Sequence, residues 1–586
     1  MGQERFRGLA IFLIVLGIIL FIISLGIFAL IAPIKTTIFG IRISFASLDN
    51  PVRISLLLIM TGIFVRRIIN RPIELSTRTL TKNQKIAFYL SFFLFETILF
   101  LGFQVDNLLG LLAIPLVYQL MIIVIDGNNV LIESLLNKRI FTLFLILQGI
   151  GWIANILIEY LSISYSMFDT GNFAHVVNNF RKGIFYHHIL QEPIFADHFD
   201  PNLIILSPLY WLYETILWLP SFRLIAYLSC LPILWKLSQF YINNRKYRYL
   251  VIILWLINFP ILKVLHFEFQ PSTLAIPFIL LSFLLWEKKN YLLFYLDLIF
   301  IIGFKENLPL AWLSIGLWLI LFKNRNLIGA MVFCGGLIVG LTIIYWIIPL
   351  LSGGTPFGQL NRFGPLELIP QKIEFIGLIL FSVGFLPAVN WKILLFILPS
   401  FATSLVSTTP WMVTLNCHYQ DLPIAITFMG LIIGISELEN SNCWVNRGKP
   451  IYKKSLLMIS LLGIIIYNNY YPGRSIQENW PTLSKVSLLK EIHYAKQILS
   501  KERTYWCIDS LGVYFINHHY LRSIQDLDSL FQEKNKNYII IADNINHWPI
   551  DNQYSVLKDK LELLAKKGQY LKMGNFNKIL VYQSIP

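Results

Sequence analysis

Apolar stretches of roughly the length a bilayer demands recur along the chain, separated by short segments rich in Lys and Arg. A spanning helix needs about 20 mostly apolar residues. Four spans are predicted near residues 8–32, 54–65, 86–103 and 108–125, and a fifth at 140–160. Others follow near 221–242, 249–265, 271–286, 291–304, 308–322, 327–350, 373–388, 391–407, 421–437 and 455–469. The pair at 373–407 has the least support, because its joining turn carries Lys392 and little other charge. The opening MGQERFR is followed by an apolar run too long for a signal-peptide core, so it reads as a retained first span.

The loop 66–85, RRIINRPIELSTRTLTKNQK, holds six basic residues against one Glu. Short cytoplasmic loops carry the excess of Lys and Arg, which puts this loop and the N-terminus in the cytoplasm. The fifth span then delivers the chain outside near Leu161, into SISYSMFDTGNFAHVVNNFRKGIFYHHILQEPIFADHFD. Long loops with no obvious structure of their own are functional or disordered, and the aromatics here argue against disorder. Pro201–Pro220 (PNLIILSPLYWLYETILWLP) is apolar enough for a span, but charge parity argues against a crossing. If it crossed, NNRKYR (243–248) and each later basic loop would face outward. Its Trp and Tyr residues, Pro208 and Glu214 suit a helix at the outer interface. An odd count of spans leaves the C-terminus outside.

From about Tyr470 the pattern turns soluble. KVSLLKEIHYAKQIL and YSVLKDKLELLAKKG read as helices, and TYWCIDS, NYIIIAD and KILVYQ as strands. This alternation predicts a small α/β domain. It has no Gly-rich phosphate loop. The fold class is an all-α polytopic membrane bundle of about fifteen spans with a small C-terminal extracytoplasmic α/β domain. Three regions are expected: a four-span extension at 1–139, a transmembrane core at 140–469 with the long outer loop 161–220, and the α/β domain at 470–586.

Composition agrees with this. Hydrophobic residues make up 56% and charged residues 14%, with a mean hydropathy of +0.63, whereas soluble domains carry about 25% charged residues. A soluble enzyme and a disordered chain are both excluded. The net charge of +15 follows from the basic loops and does not call for nucleic acid. Five cysteines show neither metal spacing nor a disulfide framework.

With this topology all ten histidines lie on the outer side. A charged residue beside a span end ordinarily anchors the helix among headgroups. Four span mouths depart from that plain reading by repeating one form, an acidic or imidazole group next to a Pro or aromatic. These are ADHFDP (196–201), HFEFQP (266–271), FKENLP (304–309) and CHYQDLP (417–423). Converging on one cavity, they would supply carboxylates for general-base catalysis or metal binding, imidazoles for proton transfer, and Lys or Arg for a phosphate. His/Asp ligation of Mg²⁺ or Mn²⁺ by Asp169, Asp197 or His198 is the metal reading. Arg362, in the Gly/Pro-rich loop 351–372, is either a phosphate clamp or part of a connector. Glu96 sits near mid-span, where a charge is costly. Arg181–Lys182 suits a headgroup anchor or a lipid phosphate. His518–His519 and Trp506 suit a core, a surface or a sugar-binding role.

The run FDTGNF…NNFRKGIFYHHI…ADHFDPNLIILSPLYWLY, then HFEFQPSTLAIPF, FKENLPLAWL and HY, resembles a bacterial family of polytopic membrane proteins designated a domain of unknown function. That family is in turn similar to the GT-C superfamily of lipid-linked-sugar glycosyltransferases. The resemblance covers about residues 140–586 and leaves out the four leading spans. It implies a GT-C-like core in a bacterial plasma (inner) membrane, a polyprenyl-phosphate-linked sugar as donor, and transfer to an acceptor on the outer face. It also implies Asp169 as first catalytic candidate, as base or metal ligand, with Asp197, His198 and Glu268 beside it. Lys305 and Glu306 become a phosphate-side pair, joined by Arg362, His418 and Tyr419. This chain departs from the family pattern at His175, where a Gln stands, and at Glu268 and Gln270, where an Asp and a His stand. Gln270 cannot titrate. Rival readings are a lipid or small-solute transporter or flippase, which expects midplane polar groups and related halves, and a non-catalytic scaffold.

Overall fold

The computed structural model describes residues 138–440, save 188 and 365–366, and residues 483–585, save 501–502, 518–519, 525–529, 532–536, 544–549 and 575. Nearer the N-terminus it describes residue 15 and the strands β1 (Ile34–Ile38) and β2 (Ile41–Phe45), which pair antiparallel from Ile34↔Phe45 to Ile38↔Ile41. The expected spans at 54–65, 86–103, 108–125 and 455–469, the span 8–32 apart from residue 15, the loop 66–85, Glu96 and His518–His519 lie outside the described residues. The chain divides into two compact units, Met1–Ile158 with Arg447–Leu483, and Glu159–Asn446 with Ser484–Pro586. Helix α1 is Lys138–Leu161, and every later element described here belongs to the second unit apart from the start of α13.

The long polar loop is folded. It forms a wide π-helical turn, Met167–Gly171, that runs into α2 (Asn172–Arg181), then the short pair β3 (Tyr186–His187) and β4 (Glu192–Pro193). Pro201–Pro220 does not make one long helix. Pro201–Leu206 and Leu209–Leu212 are short helical turns, and the backbone is extended at Tyr213.

Apolar helices follow: α3 (Trp218–Tyr241), α4 (Arg245–Ile257), α5 (Phe259–His266), α6 (Ser272–Glu287), α7 (Tyr291–Ile302), α8 (Pro309–Lys323), α9 (Asn326–Thr342), α10 (Ile369–Phe381), α11 (Trp391–Ile397) and α12 (Asp421–Asn440). Among the described residues, three helical stretches are long and apolar enough to cross a membrane: Trp218–Tyr241, Tyr247–His266 and Asn326–Leu351. The second runs through Asn258, whose side chain accepts from Ile261 N and donates to Ser382 Oγ at 2.8 Å, satisfying the break between α4 and α5. The stretches α6, α7 and α8 are helical as expected but have 16, 12 and 15 residues. At 1.5 Å per residue they reach about 18–24 Å, against roughly 30 Å of hydrocarbon.

The pair expected at 373–407 departs furthest from its sequence reading. Helix α10 ends at Phe381, and Gly384 (φ 66°) and Phe385 (φ 53°) turn the backbone left-handed. Beyond α11 the chain tightens at Leu398–Phe401, around Pro399, before the turn Ala402–Val406. A proline inside a helix removes an amide donor and crowds the preceding turn, so the helical stretch Trp391–Val406 tightens there without ending.

Helices α8 and α9 touch backbone to backbone. A methyl group added at Gly316 or at Gly329 would sit 2.7 Å from the other residue's carbonyl oxygen, and one at Gly336 would sit 2.8 Å from Pro309 O. Small residues permit this approach, which replaces the missing hydrophobic drive inside lipid with packing contacts.

The C-terminal segment is an α/β domain. Helix α13 (Leu483–Ile498) precedes a five-stranded sheet of β5 (Thr504–Cys507), β6 (Leu521–Ser523), β7 (Asn537–Ala542), β8 (Tyr570–Lys572) and β9 (Ile579–Ser584), and α14 (Tyr554–Lys566) lies between β7 and β8 in the chain. The strand order is β6-β5-β7-β9-β8, with β5 parallel to β6 and β7, and β9 antiparallel to β7 and β8. Every residue of β7 is buried, the pattern of a strand covered on both faces.

Gly316→Leu is expected to force α8 and α9 apart at an overpacking cost of about 1–3 kcal/mol. In detergent its Tm falls, whereas Gly377→Ala, at a position inside α10 with nothing within 4 Å, does not lower Tm, since Ala suits a helix interior better than Gly.

Candidate functional site

Two carboxylates from distant parts of the chain grip the turn that carries Asp169. Asp509 Oδ1, just after β5, accepts from Ser166 Oγ at 3.0 Å, Met167 N at 2.8 Å and Phe168 N at 3.3 Å. Glu268 Oε1 accepts from Ser166 N at 2.9 Å, and its other oxygen accepts from the Thr170 hydroxyl. Thr170 Oγ1 accepts in turn from Phe269 N at 3.0 Å. The opening amides of a helical turn have no partner within it, and a carboxylate there satisfies them and meets the positive end of the helix dipole. Here this fixes the backbone on both sides of Asp169.

From Asp169 a chain of hydrogen bonds leads inward. Gln270 Nε2 donates to Asp169 Oδ1 at 2.8 Å, and Gln270 Oε1 accepts from Lys305 Nζ at 3.2 Å. Lys305 also reaches His418 Nε2 at 3.1 Å and lies 5.9 Å from the centre of the Tyr419 ring, which stacks on His418 at 4.2 Å. Lys305 is only 4% exposed. Among the described residues no carboxylate lies within ion-pair distance of its Nζ. The neighbouring residue has the opposite arrangement: Glu306 takes His198 Nδ1 at 3.0 Å and Phe199 N at 3.2 Å, while His198 Nε2 lies 3.6 Å from Asp197. Gln359 Nε2 donates to the other oxygen of Asp197 at 2.9 Å.

Protonation follows from these neighbours. Burial pushes Glu306 upward, but His198 and Lys305 outweigh it and hold the carboxyl down at about 2. Burial likewise opposes charge on His198, yet Asp197 and Glu306 raise its pKa above the ordinary imidazole value, making an imidazolium–carboxylate pair. His418 goes the other way. Burial, then Lys305 and His198, depress it well below the usual range, so it is neutral and its Nε2 can accept from the ammonium. Asp200 is pushed up to about 8 by burial, and one of its oxygens has no hydrogen-bond partner.

A cavity of about 390 Å³ opens beside this cluster, within the roughly 300–1,000 Å³ of small-molecule sites. Its polar lining comes from His198, Lys305, Glu306, Gln359, Arg362 and Tyr419. The apolar lining comes from α8 (Pro309, Leu310, Leu313), from α9 and its continuation (Leu337, Leu341, Ile344), and from the turn Ala402–Val406. Gly336 and Gly340 line it without side chains.

The four span-mouth motifs thus contribute to two hydrogen-bond chains that meet at the adjacent residues Lys305 and Glu306. Of the candidates read from the sequence, His198, Lys305, Glu306, Arg362 and Tyr419 line the cavity. Asp169, Asp197, Glu268 and His418 are not among its lining residues, and Glu268 is engaged in holding the 166–170 turn. Gln270 is the amide that joins Asp169 to Lys305. It donates to a carboxylate and accepts from an ammonium, which orients both but moves no proton. His175, fully buried, bonds Ile516 O through Nδ1 at 2.9 Å and Asn179 through Nε2, and so fastens α2 to the C-terminal domain. Asp509, Ser166, Thr170 and Gln359 were not singled out from the sequence. An Asp at a strand end, or a lone Gln in a connector, carries no one-dimensional signal. Among the described residues no group of three or more His, Cys, Asp or Glu converges as a metal-ligand set; Asp169 and Asp197 belong to separate hydrogen-bond chains.

A family described as predicted membrane protein (DUF2079) matches residues 159–367 and 362–501, more than half of the chain. No curated protein matches it. Among solved structures, ArnT from Cupriavidus metallidurans bound to undecaprenyl phosphate is similar, with a TM-score of 0.46 and 10% identity over 74% of this chain and 98% of that one. The same protein in its apo state gives a TM-score of 0.44 and 12% identity over the same shares.

Two outcomes are expected. Asp509→Ala removes the acceptor of the Met167 amide and the longer of the two bonds made by Phe168 N, whose other acceptor is Ser166 Oγ at 3.1 Å, and lowers stability by about 1–3 kcal/mol, read as a drop in Tm; Asp509→Asn keeps one acceptor oxygen and loses less. Asp200 binds its proton more tightly folded, at about 8, than unfolded, at the ordinary 3.8, so its contribution to stability is full below 3.8 and is lost as pH rises toward 8. Asp200→Asn therefore flattens the decline of Tm across that window; an unchanged slope would show that the carboxyl is ionised throughout.

Proposed function

The chain belongs to the DUF2079 family of predicted membrane proteins, and we propose that it transfers a sugar from a polyprenyl-phosphate donor to an acceptor hydroxyl, on the outer face of a bacterial plasma membrane. The observation that carries this reading is Lys305, a buried ammonium whose hydrogen-bond partners among the described residues are neutral, lining a cavity that joins a polar end to an apolar wall. A buried charge without a counter-ion is costly, and an anion entering the cavity relieves that cost. A phosphate on a long hydrocarbon chain satisfies both halves of the lining. Its charge meets Lys305, Arg362 and the His198 imidazolium, and its tail meets α8, α9 and the Ala402–Val406 turn.

In the reaction, Asp169 takes the proton of the acceptor hydroxyl as that oxygen attacks the anomeric carbon. The bond from that carbon to the phosphate oxygen breaks, and the phosphate departs with the electron pair. Lys305 and Arg362 hold the charge that builds on it, the kind of fixed electrostatic stabilisation that dominates many enzyme rate enhancements. Gln270 fixes Asp169 relative to Lys305, so base and leaving-group site keep one geometry. The polar groups come from loops at helix ends instead of the middle of broken helices, which favours this reading over transport.

The purified full chain in nanodiscs is expected to retain undecaprenyl phosphate in native mass spectrometry, and Lys305→Ala with Arg362→Ala to weaken that retention at least tenfold. Asp169→Asn should keep the lipid and lose transfer by roughly 10²–10⁴-fold, seen in cells as accumulation of undecaprenyl-linked sugar and loss of a surface glycan. Full transfer by the Asp169→Asn variant removes Asp169 from the mechanism, and undiminished lipid retention by the double variant removes the phosphate site.

A further inference from the structure

A second cavity, of about 460 Å³, lies where the segment Tyr210–Ile216 meets the C-terminal domain. It shares no lining residue with the cavity beside Lys305. Its walls are Tyr160, Arg181, the run from Tyr210 to Ile216, His493 and Lys496 of α13, and Val513, Tyr514 and Ile516. Tyrosine rings dominate. Tyr160 and Tyr514 pack at 5.3 Å and tilted, Tyr514 OH donates to Tyr160 O, and Tyr160 OH shares a hydrogen bond with His493 Nε2 at 3.2 Å. The ionic pair Arg181–Glu214 forms another part of the wall, with Arg181 further anchored to Tyr210 O at 2.8 Å. Trp211 and Tyr213 are 69% and 67% exposed.

We propose that this cavity is a saccharide-binding site. A sugar ring offers an apolar C–H face and a rim of hydroxyls, each both donor and acceptor. Aromatic side chains with a polar tip match the face and part of the rim, and a guanidinium–carboxylate pair supplies fixed donors and acceptors in one plane. A long lipid tail finds little here, since the wall is built of tyrosine hydroxyls and charged groups. A simple cationic ligand is disfavoured by Arg181 and Lys496. The Tyr514 and Tyr160 rings are held before the ligand arrives by their hydrogen bonds, and the backbone that carries Tyr213 is held by the bond from Trp218 Nε1 to its carbonyl at 2.8 Å. Such preorganisation limits the entropy lost on binding. The site holds a saccharide apart from the Lys305 cluster and does not depend on the reaction proposed there.

The test is titration of the full chain in detergent with N-acetylglucosamine, its β-1,4-linked dimer, galactose and glucuronic acid, followed by Trp fluorescence and saturation-transfer NMR. At least one of these saccharides is expected to bind saturably. Trp211→Ala or Tyr213→Ala should weaken it tenfold or more without lowering Tm, because both side chains are exposed. Glu214→Gln should weaken it as well, whereas Lys305→Ala should not change it. Absence of saturable binding by all four sugars overturns the proposal, as does binding that survives Trp211→Ala, Tyr213→Ala and Glu214→Gln alike. Sugar binding lost only in Lys305→Ala would assign the saccharide to the other cavity and equally refute this one.

Discussion

A buried ammonium that, among the described residues, has no carboxylate within ion-pair distance organises the candidate site. Lys305 is held by an amide oxygen, an imidazole nitrogen and the ring of Tyr419. None of these cancels its charge, so the surroundings adjust instead: His418 is kept neutral and Gln270 is oriented with its oxygen toward Nζ. The next residue in the chain, Glu306, is fully paired with His198 and the Phe199 amide. This segregation matters, because a Glu306 turned toward Lys305 would close an internal ion pair and leave the cavity without a reason to take up an anion. His198 therefore occupies the adjacent carboxylate, and Asp197 and Gln359 steady His198.

The second constraint is long-range. The turn bearing Asp169 lies between Glu268, at a helix mouth, and Asp509, at the end of a sheet strand 340 positions further on. Neither carboxylate lines the cavity beside Lys305, yet both determine where Asp169 stands. The C-terminal α/β domain is therefore part of the scaffold of the site. His175 makes the same connection a second time through Ile516 O. A base that must meet its proton within hydrogen-bond distance gains from being gripped on both sides, since errors of position weaken general-base catalysis steeply.

Much of this was legible in the sequence because charge is conspicuous in an apolar chain. The mouths ADHFDP, HFEFQP, FKENLP and CHYQDLP stand out, and their residues do meet. Helical positions were also readable, since an apolar run between basic loops has few alternatives. What escaped reading was whatever depends on partners. Gln270 looked like a loss of function when judged alone, yet between a carboxylate and an ammonium an amide is the neutral group that serves both. Asp509 looked like an ordinary strand-end residue. The strands LRS and YLK are three residues each, too short for a periodic signal. Helix length is not legible where the sequence shows only hydropathy: α10 stops at Phe381, ahead of the left-handed Gly384 and Phe385, whereas Trp391–Val406 stays helical through a tightened turn at Pro399.

The tightened turn at Pro399 bears on the cavity. It lies within the helical stretch Trp391–Val406, and past it Ala402, Thr403 and Val406 line the cavity together with Met412, as do Gly336 and Gly340 of α9. The isolated bridge between Phe363 and Ser407 ties the loop carrying Arg362 to the end of this helical stretch, and Thr408 N donates to Arg362 O at 2.8 Å. One continuous stretch thus forms part of the apolar wall and anchors the backbone of the second cation.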